Sequence, residues 1–208
     1  MAPVKAYFLE ATEQERHWLR RFVFSDQSKC LGKDGYHNAM FLLGDADIVW
    51  TTTHGSTQRF IADRSHSQPP ESDPRWPVKC DSCDYRFTDK DQYQLFGHQL
   101  YKRQDTGEIM TIEDAPPGAL WYGIWWKPTA PDGHVLMAKC PGGHDWNIDG
   151  CASNCDKPDD KEHRCWVRHG EPPLITVDKN GNTCKAGAGS ILTPSWHGYL
   201  RNGEFVEC

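Results

Sequence analysis

Long hydrophobic runs are missing from this sequence. Its longest apolar stretches, Ala39–Leu43 and Ala119–Trp126, fall far short of the roughly 20 residues that a membrane-spanning helix needs, so none is expected. The opening residues MAPVKAYFLEATEQE carry no hydrophobic signal core, which predicts synthesis in a cytoplasm without export by a signal peptide. Basic runs are missing too. The net charge is −6, and no cluster of Lys and Arg is long enough to track a phosphate backbone, which argues against nucleic acid as a partner. There is no G-x-S-x-G elbow and no H-E-x-x-H helix. Gly187-Ala188-Gly189-Ser190 lacks the Lys and the following helix of a phosphate-binding loop and reads as a turn. Asp159-Asp160-Lys161-Glu162 has no calcium-loop spacing around it and reads as a solvated loop.

Aromatic side chains supply what aliphatic ones do not. Hydrophobic residues make up only 38% of the 208, yet nine are Trp, and each buried aromatic removes roughly 150–250 Å² from water. That favours a folded chain despite a mean hydropathy of −0.73. The 18 Gly and 14 Pro imply many turns and short elements. Lys5–Glu10 reads as a strand. Thr12-x-x-Glu15 reads as a capping box, with acidic residues first and Arg20 and Arg21 last, which predicts a helix over 13–22 whose apolar face is Trp18, Leu19 and Phe22. Ala39–Leu43 and Ile48–Thr53 read as a strand pair, and Gln94–Arg103 with Glu108–Ile112 as another, a short helix near Thr88 being the rival for part of it.

The nearly unbroken apolar run Ala119–Lys127 predicts a buried central strand, with Trp121, Ile124 and Trp126 among its most buried positions. His134–Lys139, Asp145–Ile148, Arg164–His169 and Leu174–Val177 follow as strands, and Asn202-Gly203 is the strongest hairpin signal. The expected fold is mainly β with one N-terminal helix, an antiparallel meander with zinc-stabilised loops. The Pro- and Ser-rich stretch Ser65–Pro77 divides a strand-helix-hairpin unit, 1–76, from a cysteine-rich antiparallel unit, 77–208, unless the two form one continuous domain.

Nine Cys require a reason, and in a reducing compartment that reason is metal or catalysis before disulfides. Cys80-x-x-Cys83 has the spacing that lets two thiolates reach one tetrahedral zinc ion from a tight turn; a redox dithiol or two packed thiols are the alternatives. Two further ligands must come from elsewhere. Cys30 and His37 are the nearest upstream pair, with His54 and His98 competing. Downstream, Cys155, His163, Cys165 and Cys184 form a second candidate zinc site. The charged loop that Cys155 and Cys165 frame has almost nothing apolar to bury, so a metal, a disulfide or simple thiol packing must account for its order. Cys140 and Cys151 read as accessory, and Cys208 as the odd cysteine outside any metal site.

The string Pro141-Gly142-Gly143-His144-Asp145-Trp146-Asn147-Ile148-Asp149-Gly150 is followed by Asn154-Cys155 and by His163-Arg164-Cys165-Trp166-Val167-Arg168-His169-Gly170-Glu171-Pro172-Pro173. Thr183-Cys184, Gly187-Ala188-Gly189-Ser190-Ile191 and His197-Gly198-Tyr199-Leu200-Arg201-Asn202-Gly203 complete the pattern. It resembles a group of small proteins encoded in tailed-phage and prophage genomes. Tyr7–Thr12 and the Trp76-Pro77…Cys80-x-x-Cys83 segment are similar as well. The resemblance implies a phage origin and a compact fold, and it transfers no catalytic residue. The resulting expectation is a zinc-stabilised accessory or virion protein that binds other phage proteins or itself, located in the virion or the host cytoplasm. A metal- or cysteine-dependent hydrolase and a nucleic-acid-associated zinc module are the alternatives.

Overall fold

The computed structural model describes residues 2–23, 30, 36–43, 48–53, 56–61, 76–88, 91–123, 132–160, 163–182, 184–186 and 189–208. Every regular element among them is a strand, and none of them forms a helix that could cross a membrane. The chain groups into two compact units, Met1–Glu13 with Gln99–Cys208 and Gln14–His98.

In the first unit, β1 (Val4–Lys5) and the start of β2 (Tyr7–Val23) join the end of β6 (Gln92–Arg103), β7 (Ile109–Met110), β8 (Ala119–Gly123), β9 (Val135–Lys139) and β10 (Asp145–Asn147). They are followed by β11 (Val167–His169), β12 (Thr176–Asp178), β13 (Ile191–Thr193), β14 (Trp196–Arg201) and β15 (Glu204–Glu207). One sheet runs β1-β15-β14-β12-β11, with β13 also on β14. In the other sheet, β10, β9 and β8 follow one another and β8 lies on β2.

The expected meander holds from β8 to β10, but β8 pairs with β2 in parallel, Phe8 opposite Leu120. The alternation of side chains along β8 and β9 explains their apolar sequences. Leu120, Leu136 and Ala138 face a core shared with Val177, Ile191, Leu200 and Phe205 of the first sheet. Ala119, Trp121, Val135 and Met137 face a second core with Tyr7, Leu9 and Tyr101. Both faces of this strand pair are thus buried. Trp121 is buried as expected, while Ile124 and Trp126 lie outside the described residues.

The helix over 13–22 does not exist: these residues belong to the long strand β2. The apparent capping Thr12 donates its hydroxyl to Leu100 O at 2.8 Å across to β6. From His17 onward, burial alternates with a period of two through His17, Leu19 and Arg21. Two of those inward positions are polar, so the strand pattern is concealed in the sequence. The apolar Trp18, Leu19 and Phe22 instead fall at spacings that imitate a helical face. The expected pairing of 39–43 with 48–53 is also corrected. In the second unit β3 (His37–Leu43) pairs antiparallel with the end of β2, and β4 (Ile48–Thr53) pairs with β5 (Ser56–Ile61). The helix considered near Thr88 is absent among the described residues, since β6 begins at Gln92.

The β14–β15 hairpin turns at Asn202-Gly203 as expected, with φ of 46° and 75°, the left-handed pair that a type I′ turn requires. Gly198 lies between β13 and β15, opposite Ile191 and Glu207. A Cβ there would collide with Val206 O and the Trp196 ring. Gly198→Ala is therefore expected to cost about 1–3 kcal/mol, the range for overpacking. A urea midpoint within error of wild type would count against this packing.

Candidate metal centres

The first cluster lies in the second unit. Residues 78–87 double back on themselves, with Phe87 N donating to Val78 O at 3.0 Å and Cys80 N to Tyr85 O at 2.9 Å. Cys80 and Cys83 sit at the tip of this knuckle. Asp81 fastens it to β3: its amide donates to Asn38 O at 2.9 Å and its carboxylate accepts from Met40 N at 3.1 Å. His37, the first residue of β3, is thereby brought to the sulfurs. Its Nδ1 lies 3.2 Å from Cys83 Sγ, and its ring stacks on Tyr85 at 4.0 Å between centroids. Cys30 completes the group, 3.7 Å from Cys80 Sγ and 3.8 Å from Cys83 Sγ.

Arg21 of β2 supports the knuckle from beneath. Its guanidinium donates to Pro77 O at 3.0 Å and Thr88 O at 2.6 Å, on either side of the turn, and lies against the rings of Trp76 and Phe87.

The second cluster lies in the first unit. Short turns shape the described part of the 150–165 stretch, with Cys155 N bonded to Ala152 O at 3.0 Å and Cys165 N to Gly150 O at 3.2 Å. Cys165 Sγ lies 3.6 Å from His163 Nε2 and 3.6 Å from Cys184 Sγ. Asn182 spans this pair: its amide nitrogen donates to Cys165 O at 2.6 Å and to Cys184 Sγ at 3.3 Å, and its oxygen accepts from Cys184 N at 2.9 Å.

In each cluster the four donor atoms lie within 4.8 Å of one another, so either set could hold a metal ion. A tetrahedral ion with metal–sulfur bonds of about 2.3 Å would hold its sulfurs about 3.8 Å apart. The observed sulfur separations of 3.6 to 3.8 Å match that spacing and are far from the roughly 2.0 Å of a disulfide. None of the nine cysteines forms a disulfide.

Backbone amides prepare the sulfurs for charge. Ser82 N and Asn38 N donate to Cys80 Sγ, each at 3.4 Å. Lys157 N donates to Cys155 Sγ at 3.3 Å and Ala186 N to Cys184 Sγ at 3.4 Å. Burial alone would push the Cys80 thiol up, but the Asn38 and Ser82 amides, His37 and Cys30 outweigh it and bring it down to about 6. At Cys184 burial is again outweighed, by the Ala186 amide, Asn182, His163 and Cys165, and the thiol falls to about 6. Cys165 moves the other way, pushed up to about 12 by burial together with Cys155 and Cys184. Each cluster therefore has one sulfur whose surroundings favour the thiolate form.

The structure brings together Cys30, His37, Cys80 and Cys83, and separately Cys155, His163, Cys165 and Cys184. Of the competing histidines, His98 lies on β6 and is not among the grouped ligands, while His54 lies outside the described residues. Cys140 belongs to the apolar core, where burial and then Asp145 push its thiol up to about 12. Cys208 is exposed and belongs to neither cluster. The supporting roles of Tyr85, Arg21 and Asn182 were not read from the sequence; Asn182, two residues before a candidate ligand, left the clearest trace. Comparison of the chain with protein-family models, curated proteins and solved structures finds no match.

Proposed function

We propose that this protein is a β-rich binding module of phage origin, an accessory or virion component stiffened by two structural zinc ions, that acts by contact with other phage proteins or with itself. The observation that carries this reading is the double convergence of three thiols and one imidazole on a common centre. Thiolate and imidazole donors in a tetrahedral arrangement suit zinc. Four protein ligands close the coordination sphere, whereas catalytic zinc sites keep a position open for water or substrate.

The location of the clusters supports a structural role. Cys155, His163 and Cys165 lie on a stretch between β10 and β11 that has no strand among its described residues. A metal would supply there the cohesion that apolar side chains do not. The phage origin and the protein partners rest on the sequence resemblance and on the acidic, motif-poor composition.

Metal analysis of protein purified without chelator tests the zinc reading, with two equivalents per chain expected. Mass spectrometry of purified particles of the source phage tests the virion reading, with peptides of this chain expected in them. A metal-free protein would overturn the first and particles lacking the chain the second.

Asn182→Ala separates the two sites. Loss of hydrogen bonds that orient metal ligands costs about 10–100-fold in metal affinity. The second zinc is therefore expected to pass to a competing chelator at correspondingly lower chelator concentration, with the first unaffected. Equal retention at both sites would dismiss the role given to Asn182.

A further inference from the structure

Six of the nine cysteines belong to the two clusters and Cys140 to the apolar core. Of the remaining two, Cys151 lies against the second cluster while being exposed to solvent. Its thiol donates to the backbone oxygen of the ligand His163 at 3.4 Å. Its sulfur also interacts with those of Cys155 and Cys165, and burial followed by Cys155 pushes its thiol up. The fold fixes this proximity from two sides. The bond from Cys165 N to Gly150 O, 3.2 Å, sets residue 151 beside Cys165, and the bond from Cys155 N to Ala152 O, 3.0 Å, turns the chain back toward it. Yet Cys151 is not one of the four mutually close donors, and a tetrahedral ion has no place for a fifth.

We infer that Cys151 is an oxidation site, at which a peroxide drives formation of a Cys151–Cys155 disulfide that withdraws Cys155 from the second metal centre. The inference rests on the reading of that cluster as a zinc site. Cys151 is the entry point because it is exposed, and Cys155 is the partner because it is half-buried whereas Cys165 is fully enclosed.

The chemistry balances in two steps. Cys151–SH and hydrogen peroxide give Cys151–SOH and water: the O–O bond breaks, an S–O bond forms, and the sulfur loses two electrons to the peroxide. The Cys155 sulfur then attacks the Cys151 sulfur. The S–S bond forms, the S–O bond breaks, and the departing hydroxide leaves as a second water with the proton Cys155 gives up or one from solvent. The electron pair that Cys155 would donate to zinc now lies in the disulfide, leaving three ligands and an ion that a chelator removes easily.

The test begins with the zinc content of the untreated protein. Hydrogen peroxide is then added in the presence of a chromophoric zinc chelator, and non-reduced peptides are mapped by mass spectrometry. Release of one equivalent ahead of the other is expected, together with a peptide pair joined through Cys151 and Cys155. Cys151→Ser, at an exposed position, should retain both zinc ions beforehand and slow the early release. Unchanged release from a zinc-loaded Cys151→Ser protein, or recovery of unmodified Cys151 after one zinc has left, overturns the inference alone. Untreated wild-type protein without zinc overturns the metal reading and this inference with it.

Discussion

Cys80→Ser is expected to remove one zinc equivalent per chain and to abolish cooperative unfolding of the Gln14–His98 unit. Cys80 is 2% exposed, accepts two backbone N–H groups, and lies 3.7 Å from Cys30 Sγ. The substitution leaves three ligands and puts a smaller hydroxyl, which does not ionise and ligates zinc poorly, where those amides meet a sulfur. Structural zinc contributes about 10–16 kcal/mol in small zinc-folded peptides. That is comparable to the about 5–15 kcal/mol by which whole domains are stable. Among the described residues, Ala39 and Phe87 are the buried apolar side chains clustered with Cys30 and Cys80, a small group to set against such a loss.

Hydrogen exchange should show the amides of β3 losing protection while those of β14 and β15 keep theirs. Cys208→Ser serves as the control, since that exposed thiol belongs to neither cluster and should leave zinc content and melting unchanged. A Cys80→Ser protein with full zinc content and an unaltered melting curve would refute the first metal centre.

The second large effect is expected at Asp149, which is 1% exposed. Its Oδ2 accepts from Leu136 N at 2.7 Å, and its Oδ1 faces Arg168 Nε at 3.1 Å. Burial raises its carboxyl above the ordinary range, while the Leu136 amide, Arg168 and Arg164 draw it back. Removing one partner of a buried ion pair costs about 3–5 kcal/mol. Asp149→Ala belongs near about 3 kcal/mol, because Arg168 keeps Asp132 at 3.1 Å while the Leu136 amide is left without its acceptor. Asp132→Ala removes the more exposed carboxylate and should cost less than about 1 kcal/mol. Urea unfolding of both variants in zinc-saturated buffer measures the contrast. Equal costs would show that burial does not govern this network.

How much of this was legible in the sequence varies with the local physics. Both Cys/His groups were legible because the Cys80-x-x-Cys83 spacing marks the first and the polar segments around the second have little else to order them. The strands from Ala119 to Asn147 were legible because their apolar runs are bounded by Pro and Gly turns. The hairpin at Asn202-Gly203 was fixed by turn chemistry. β2 was not legible. Its inward His17 and Arg21 are polar, and Arg21 donates to carbonyls 56 and 67 residues away, which no local pattern announces. The pairing of β3 failed for the same reason: its partner is a strand that had been read as a helix.

One feature of the fold bears on the order of events during synthesis. β1 pairs with β15, and Ala6 N donates to Gly203 O at 2.7 Å, so the first unit needs both extremes of the chain. At about 5–20 residues per second, the initial residues wait roughly 10–40 s for those partners to emerge from the ribosome. The Gln14–His98 unit is continuous in sequence, and its ligand set is complete as soon as Cys83 has emerged. The second set must wait for Cys184. On the zinc reading, the first set can therefore take its ion on the growing chain while the second set is still incomplete.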